Sequence, residues 1–315
     1  MKKIAFVFPG QGSQSMGMLS ELASSYPIIR ETFDFAGKIL GYNLWELAQH
    51  GPEEQLNQTE YAQPILLTAG FAVWQAWQKQ GMASPDFFAG HSLGEYTALV
   101  CAESIDFADA LKLVRKRGQI MQAAVPVGKG AMVAVVGLTE DKVLEICAAA
   151  KQNEILSAAN YNSIGQVVLA GDIEACKRVV ALAQAAGAKL VKLLPVSVPS
   201  HCELMRSASE FLEAELNNID ILTPKIPVLH NADVLSYADP KSIRSALVKQ
   251  LYSPVRWVEI IQFLAKNGIE AIFECGPGKV LTGLNKRIVN NVAVNSLQSP
   301  DGFLQARTII NNNGY

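Results

Sequence analysis

The sequence lacks the patterns that mark several common protein classes. It has no C-x-x-C pair, and its 5 cysteines are odd in number and widely scattered, so neither a zinc site nor a disulfide framework is predicted. No uncharged apolar run is long enough to span a membrane, and the apolar stretch at 4–8 ends too early for a signal peptide. No long stripe of Lys or Arg exists, and the formal net charge is −2, so no nucleic-acid partner is predicted. We expect a cytoplasmic protein with reduced core cysteines and no membrane or nucleic-acid partner.

The sequence contains enough apolar residues to form a sizeable core. Of 315 residues, 50% are hydrophobic and 18% are charged, which is typical of a well-packed protein with one large or two modest domains. In the first half we predict a strand at 3–8, a turn at 9–12, a helix near 20–26, a long helix at 64–79 and a strand-like run at 83–89. This alternation indicates a parallel sheet covered by helices.

The pattern changes near residues 126–130. Beyond them we predict a strand at 131–137, a helix at 139–150, strands at 155–160 and 166–170, a helix at 172–186 and a strand at 188–196. The order β-α-β-β-α-β is the ferredoxin-like signature. We therefore expect a small domain at 126–202, inserted into a large α/β domain formed by 1–125 and 203–315. The large domain resumes with a helix at 203–216, strands near 228 and at 271–274, and a helix after 278.

The most informative motif is Gly90-His91-Ser92-Leu93-Gly94, because it reads G-x-S-x-G. A strand-like run precedes it and a helix-like run follows it, which is the context of a nucleophile elbow. Glycines allow the chain to bend there, and the following helix directs its N–H groups and positive dipole end at the serine. The motif predicts a nucleophilic Ser92, with an ordinary turn as the alternative.

A nucleophilic serine needs a base, and the chain offers 4 histidines. His50 lies in a polar loop. His91 adjoins Ser92, and because consecutive side chains point apart at an elbow, it would line the pocket instead. His201 lies where the small domain rejoins the large one, and clefts form at domain junctions. His201 is therefore favoured as the base, and His230, which ends a strand-like run, stays the alternative.

Arg117 falls on the apolar face of a helix predicted at 106–124, with Asp106 as its cap. A guanidinium on a buried face needs an anionic partner. One interpretation is a structural ion pair with an internal Asp or Glu. The other is a substrate carboxylate, which a planar guanidinium binds through two charge-assisted hydrogen bonds.

A second glycine-containing turn, at 10–14, follows the first strand. Its glycine spacing departs from the dinucleotide fingerprint, so nucleotide binding is not predicted. Acyl transfer to a serine needs two N–H donors for the oxyanion, one of them usually from the residue after the nucleophile. The backbone N–H groups of Leu93 and Gln11 are the candidates. The turn at 274–278 is expected to serve packing and chain reversal.

Five segments then occur in a characteristic order: Gly10-Gln11-Gly12-Ser13-Gln14, Gly90-His91-Ser92-Leu93-Gly94-Glu95-Tyr96, Arg117-Gly118 with Met121, Val198-Pro199-Ser200-His201, and Gly276-Pro277-Gly278-Lys279. Together they resemble the bacterial malonyl-CoA:acyl carrier protein transacylases over nearly the whole chain. The resemblance implies an α/β-hydrolase-like core with an inserted ferredoxin-like subdomain. It also implies transfer of malonyl from malonyl-CoA to the phosphopantetheine thiol of acyl carrier protein, in fatty acid biosynthesis, with no metal or bound cofactor.

The resemblance assigns roles by position. Ser92 would be the nucleophile that carries the malonyl group as an ester, and His201 would be its general base. The backbone N–H groups of Gln11 and Leu93 would form the oxyanion hole. Arg117 would bind the malonyl carboxylate.

Further positions are implied around this centre. The backbone carbonyl of Gln250 would orient the histidine in place of a carboxylate. His91 would lie beside the malonyl group, and Asn160 and Asn162 would lie near the substrate. One departure is the pair His230-Asn231, which stands where the family pattern leads us to expect two amides.

Three other functions remain open at this point: a serine hydrolase or thioesterase on a similar core, a non-catalytic docking module for carrier proteins, and a polyketide-type acyltransferase. An intact Ser92 and His201 speak against a docking module. The length of the chain favours a freestanding enzyme, which we expect to be a monomer. Cations near the pocket would steer an acidic carrier protein; the candidates are Lys189, Lys192, Lys286 and Arg287.

Overall fold

The strands form two sheets, one parallel and one antiparallel. The computed structural model describes residues 2–194 and 198–311. The strands are β1 (Ile4–Phe8), β2 (Phe87–Gly90), β3 (Gly130–Val136), β4 (Leu156–Ser163), β5 (Gln166–Asp172), β6 (Leu190–Leu193), β7 (Val228–Leu229), β8 (Ala271–Glu274) and β9 (Ala293–Ser296).

Helices connect these strands and cover them. They are α1 (Ser20–Ser25), α2 (Ile28–Leu40), α3 (Leu44–His50), α4 (Glu53–Asn57), α5 (Thr59–Lys79), α6 (Leu93–Cys101), α7 (Phe107–Ala124), α8 (Glu140–Lys151), α9 (Ile173–Ala185), α10 (Arg206–Leu216), α11 (Pro240–Gln250), α12 (Trp257–Lys266), α13 (Val280–Ile288) and α14 (Pro300–Asn311), with a 3₁₀ turn at Glu203–Met205. Among residues 2–194 and 198–311, no helix combines the length and apolarity needed to cross a membrane.

The larger sheet is parallel, in the order β7-β2-β1-β8-β9. All of β1 is buried, because helices cover both faces of the sheet. Its side chains alternate between two cores: Ile4, Phe6 and Phe8 pack in one, and Ala5 and Val7 in the other. The parallel sheet predicted from the sequence is confirmed.

The smaller sheet is antiparallel, in the order β4-β5-β3-β6. Helices α8 and α9 pack on one face of it, and the chain order is the predicted β-α-β-β-α-β. Of the strand predicted at 188–196, β6 covers the middle, and residues 195–196 lie outside the described part of the chain. The division into 126–202 and a discontinuous large domain stays a prediction.

Backbone hydrogen bonds attach the smaller sheet to the segment that precedes α12. Tyr161 N–H in β4 donates to Val255 O over 3.0 Å, and Val255 N–H donates to Ala159 O over 2.8 Å. Val255 precedes α12, and the next residue, Arg256, donates its N–H to Asn231 O over 3.1 Å. The small sheet is thereby attached to the segment that follows β7.

The long helix α5 begins earlier than predicted. The sequence suggested a start at Pro64, whereas the helix begins at Thr59 and continues through the proline. Proline removes one helical hydrogen bond. Tertiary packing offsets this loss, because the first turns bury Thr59, Ala62 and Gln63. The close contact with α7 occurs at Gly118, where an added Cβ would lie 2.8 Å from Thr59 O.

Candidate active site

Ser92 lies on a sharp turn between β2 and α6. Its φ is 52° and its ψ is −107°, a conformation that L residues rarely adopt. Holding a non-glycine residue in such a region costs about 1–3 kcal/mol. The geometry is that of a nucleophile elbow.

The two glycines of the motif are required sterically. A Cβ on Gly90 would lie 1.9 Å from Gly94 O, and a Cβ on Gly94 would lie 2.0 Å from Phe8 O. Between them, His91 N–H donates to Phe8 O over 2.9 Å. Glycine at position 90 is therefore needed to close the elbow itself, and glycine at position 94 is needed to fit the elbow against the end of β1.

His201 is the histidine that reaches the serine. Its Nε2 lies 2.7 Å from Ser92 Oγ, and its Nδ1 lies 2.9 Å from Gln250 O. A carbonyl oxygen only accepts hydrogen bonds, so Nδ1 carries the proton and Nε2 has a free lone pair facing the hydroxyl. This tautomer is the one that a general base requires.

The surroundings keep His201 neutral. The residue is 3% exposed, and this burial, followed by the positive charge of Arg117, lowers the pKa of His201 to about 3; the hydrogen bond to Gln250 O opposes the shift. At neutral pH the imidazole is therefore an unprotonated acceptor.

His230 is not at the serine. Its Nδ1 lies 2.7 Å from Glu95 Oε1, with both side chains buried beneath the elbow. Of the two histidines left open by the sequence, the geometry therefore favours His201 as the partner of Ser92.

Arg117 reaches the same point from α7. The residue is fully buried, as its place on the apolar face predicts. Its Nη2 lies 3.4 Å from Ser92 Oγ and 3.0 Å from Gln250 Oε1, and its Nη1 lies 2.8 Å from Gln63 Oε1. Tyr96 lies beneath it, with 5.1 Å from the guanidinium carbon to the ring centroid.

Its guanidinium is held by hydrogen bonds to neutral side chains. Within residues 2–194 and 198–311, Arg117 forms no salt bridge, and its Nε has no hydrogen-bond partner. A structural ion pair, one of the two interpretations of this arginine, is therefore wrong for the described part of the chain. A buried cation held only by neutral groups is poised for an anionic ligand.

The His91 side chain lies against β4 and the first residue of α12. Its Nε2 lies 2.8 Å from Asn162 Oδ1 in β4, and its ring lies 5.5 Å from that of Trp257. Removal from water lowers the pKa of His91, against the raising effect of the Asn162 hydrogen bond. Asn160, also in β4, is buried, and its backbone forms an isolated parallel β-bridge with that of Val255.

The two candidate oxyanion donors lie on either side of the elbow. Leu93 is the first residue of α6, so its N–H is one of those left free at a helix start. Gln11 follows β1, and a Cβ on the preceding Gly10 would lie 2.5 Å from His91 O, so this turn contacts the elbow closely. The Gln11 side chain lies 3.4 Å from Gln63 Nε2.

The structure gives contacts at the site to three residues to which the sequence analysis assigned no role; one of them, Asn231, was named there only as a departure from the family pattern. Gln63 holds Arg117, and it was missed because Pro64 suggested a later helix start. Asn231 accepts from Ser92 N–H through Oδ1 over 2.8 Å. Glu95 accepts hydrogen bonds from Asn231 N–H and Gln250 Nε2, and it could have been noticed as the charged residue of α6, all of whose residues are buried.

Comparison with known proteins gives this geometry a context. The acyl transferase domain family matches residues 5–298. The malonyl CoA-acyl carrier protein transacylase of Salmonella typhimurium is 52% identical over 308 residues, which cover 98% of this chain and 100% of that protein. The chain belongs to the malonyl CoA-acyl carrier protein transacylase family.

Solved transacylases have the same fold. The structure from Coxiella burnetii superposes with a TM-score of 0.96 at 48% identity, covering 98% of each chain. A malonyl-transacylase in complex with a type II polyketide synthase acyl-carrier protein also gives a TM-score of 0.96 at 48% identity, covering 98% of this chain and 100% of that one. The fold class expected from the sequence is confirmed.

Proposed function

We propose that this transacylase moves the malonyl group from malonyl-CoA to the phosphopantetheine thiol of acyl carrier protein, supplying malonyl carrier protein for fatty acid biosynthesis. The observation that carries the proposal is the convergence of Ser92, His201 and Arg117. His201 Nε2 is 2.7 Å and Arg117 Nη2 is 3.4 Å from the same hydroxyl oxygen. The first group activates the hydroxyl, and the second selects an acyl group that carries its own anion.

The size of malonyl fits this arrangement. In a malonyl ester of Ser92, three bonds separate Oγ from the carbon of the free carboxylate. A guanidinium beside Oγ is therefore within reach of that carboxylate and can bind it with two charge-assisted hydrogen bonds. An acetyl group, which has the same ester carbonyl but no anion, would leave Arg117 buried and unpaired.

The chemistry proceeds in two half-reactions. In the first, Ser92 Oγ attacks the thioester carbonyl while its proton passes to His201 Nε2, and the oxyanion is bound by the N–H groups of Gln11 and Leu93. Each such donor contributes roughly 10²–10³ in rate. The C–S bond then breaks, the CoA sulfur takes the proton from His201, and a malonyl-serine ester remains.

The second half-reaction reverses these roles. The carrier protein's thiol gives its proton to His201 and attacks the ester, and Ser92 leaves with that proton. Gln250 O keeps Nδ1 of the imidazole protonated in both steps, so a backbone carbonyl does what a carboxylate does in other triads. No step needs a metal or a bound cofactor.

The partners follow from this scheme. Malonyl-CoA and the acidic carrier protein are the substrates, and the exposed cations Lys189, Lys192, Lys286 and Arg287 would attract the carrier protein. His91, Asn160 and Asn162 would line the acyl pocket. We also propose that the enzyme acts as a cytoplasmic monomer.

A carrier protein of a type II polyketide synthase is a second candidate acceptor. The specific reason is the malonyl-transacylase of 48% identity that has been solved in complex with one. Parallel assays with a fatty acid carrier protein and a polyketide carrier protein would rank the two by kcat/KM.

Intact-mass measurement tests the proposal. Incubation with malonyl-CoA should add one malonyl group to the enzyme, and later addition of phosphopantetheinylated carrier protein should move that group to the carrier. Ser92→Ala should give no adduct. An adduct that persists in Ser92→Ala would move the nucleophile elsewhere, and release of free malonate without the carrier would identify a hydrolase.

A further inference from the structure

Glu95 is a fully buried carboxyl side chain in the first turn of the helix that follows the nucleophile. It accepts three hydrogen bonds. His230 Nδ1 donates to Oε1 over 2.7 Å, and Oε2 accepts from Asn231 N–H over 2.9 Å and from Gln250 Nε2 over 3.0 Å. The mechanism proposed above gives this group no chemical step.

The Gln250 amide lies between two groups of opposite character. On one side is Glu95 Oε2, which already accepts from Asn231 N–H, and on the other is Arg117, whose guanidinium can only donate. The amide must therefore present its NH₂ to Glu95 and its Oε1 to Arg117. Its NH₂ also donates to Ser92 O over 2.9 Å, which favours the same orientation.

This orientation decides how Arg117 is held. Two neutral oxygens, Gln63 Oε1 at 2.8 Å and Gln250 Oε1 at 3.0 Å, fix the guanidinium without cancelling its charge. If the Gln250 amide turned over, an NH₂ group would face the guanidinium, and one of these acceptors would be lost. The guanidinium would then no longer be aimed at the carboxylate site.

We propose that Glu95 is a positioning residue for specificity: by fixing the Gln250 amide it directs Arg117 toward the carboxylate of the acyl substrate. The inference rests on the proposed function, because it takes Arg117 to be the group that recognises that carboxylate. Glu95 itself touches neither the acyl group nor Ser92 Oγ.

The same carboxylate also supports the elbow through hydrogen bonds to Asn231. Asn231 donates its N–H to Glu95, accepts from Ser92 N–H through Oδ1 and donates from Nδ2 to Gly90 O over 2.7 Å. Loss of these Asn231 hydrogen bonds would slow acylation by every acyl-CoA alike. The readout for the specificity role is therefore the ratio of rates for malonyl-CoA and acetyl-CoA, and not either rate alone.

Glu95→Gln is the variant of choice, because it keeps the shape of the side chain. Glutamine offers one acceptor oxygen and one NH₂ where three donors converge, so the Gln250 amide is no longer restricted to one orientation. Acylation rate constants for the two acyl-CoA substrates would be measured by rapid quench and intact mass. We expect the malonyl-to-acetyl ratio to fall at least about tenfold, the lower end of the range for one lost hydrogen bond to a charged group.

The double variant Glu95→Gln with Arg117→Ala separates the proposals. Arg117→Ala alone should lower the ratio further than Glu95→Gln, and adding Glu95→Gln to it should change the ratio no more. If Arg117→Ala leaves the ratio unchanged, the proposed function is at fault. If Arg117→Ala lowers the ratio and Glu95→Gln slows both substrates equally, the inference about Glu95 is overturned.

Two more variants guard against a simple folding effect. Glu274→Gln is the matched control, since Glu274 is also fully buried and accepts from Leu281 N–H and Thr282 N–H in another helix; it should leave the ratio unchanged. Gln250→Met keeps the backbone carbonyl that binds His201 and removes the acceptor for Arg117. It should lower the ratio even if Glu95→Gln does not fold, and an unchanged ratio in Gln250→Met would refute the inference.

Discussion

The buried, neutral state of His201 predicts an unusual pH dependence for formation of the malonyl-serine ester. A histidine with the ordinary pKa of 6.5 would be roughly 3% unprotonated at pH 5, and acylation would fall about 30-fold between pH 8 and pH 5. With the pKa of His201 lowered to about 3, almost all of the imidazole stays unprotonated over that range. We therefore expect kcat/KM for malonyl-CoA to be nearly flat from pH 8 to pH 5.

The charge of Arg117 contributes to this shift, so its removal has a defined sign. Arg117→Gln takes away a cation that disfavours protonation of His201, and the pKa of His201 should rise. The acid limb of the acylation profile, measured with acetyl-CoA to avoid the loss of malonyl binding, should move to higher pH. Arg117→Lys keeps the charge and should keep the limb in place.

The stability of the fold also decreases toward the acid end of this pH range, so activity and folding must be measured on the same samples. Because the pKa of His201 is lower in the folded chain than in the unfolded one, protonation favours unfolding as the pH falls below 6.5. Circular dichroism on the assayed samples separates loss of fold from titration of the base. An acid limb near pH 6.5 in fully folded wild-type enzyme would refute this account of His201.

Two other outcomes follow from features of the elbow and the surface. Gly94→Ala should lower the free energy of unfolding, measured in urea, by about 3 kcal/mol or more, because its Cβ would lie 2.0 Å from Phe8 O. Gly283→Ala, in an exposed helical position with nothing within 4 Å, should raise it by about 0.5–1 kcal/mol. Equal urea midpoints for the two variants would contradict the steric reasoning. The double charge reversal Lys286→Glu with Arg287→Glu should raise KM for carrier protein severalfold at low salt, less at high salt, and leave KM for malonyl-CoA unchanged. An unchanged KM for the carrier protein at low salt would remove these two residues from the docking surface.

Local patterns were sufficient where the structure depends on near neighbours in the chain. The elbow at Ser92 and the β-α-β-β-α-β order of the smaller sheet both follow from alternating strand and helix signals. The burial of Arg117 follows from its position on one helical face. In each case the period of the pattern fixes the direction of a side chain.

Contacts between distant segments were beyond the same reasoning. The choice between His201 and His230 depends on which of them meets Ser92 and which meets Glu95, a residue 135 positions before His230. Gln63 was hidden because a proline one residue later favours a helix boundary, and only packing against α7 overrides it. No element was predicted at 28–57. The helix α2 was missed although its apolar residues Ile29, Phe33 and Leu40 fall on one face, whereas α3 and α4 are short and are separated by Gly51 and Pro52.

The backbone conformation of Ser92 sets stability against chemistry at a single residue. Its φ of 52° and ψ of −107° lie in a region of backbone conformation that glycine adopts readily and serine adopts only at an energetic cost. A chain chosen for thermodynamic stability alone would drift toward glycine at this position. Under the proposed mechanism the Ser92 hydroxyl is present at the expense of an unfavourable backbone conformation, so acyl transfer and stability make opposite demands at this position.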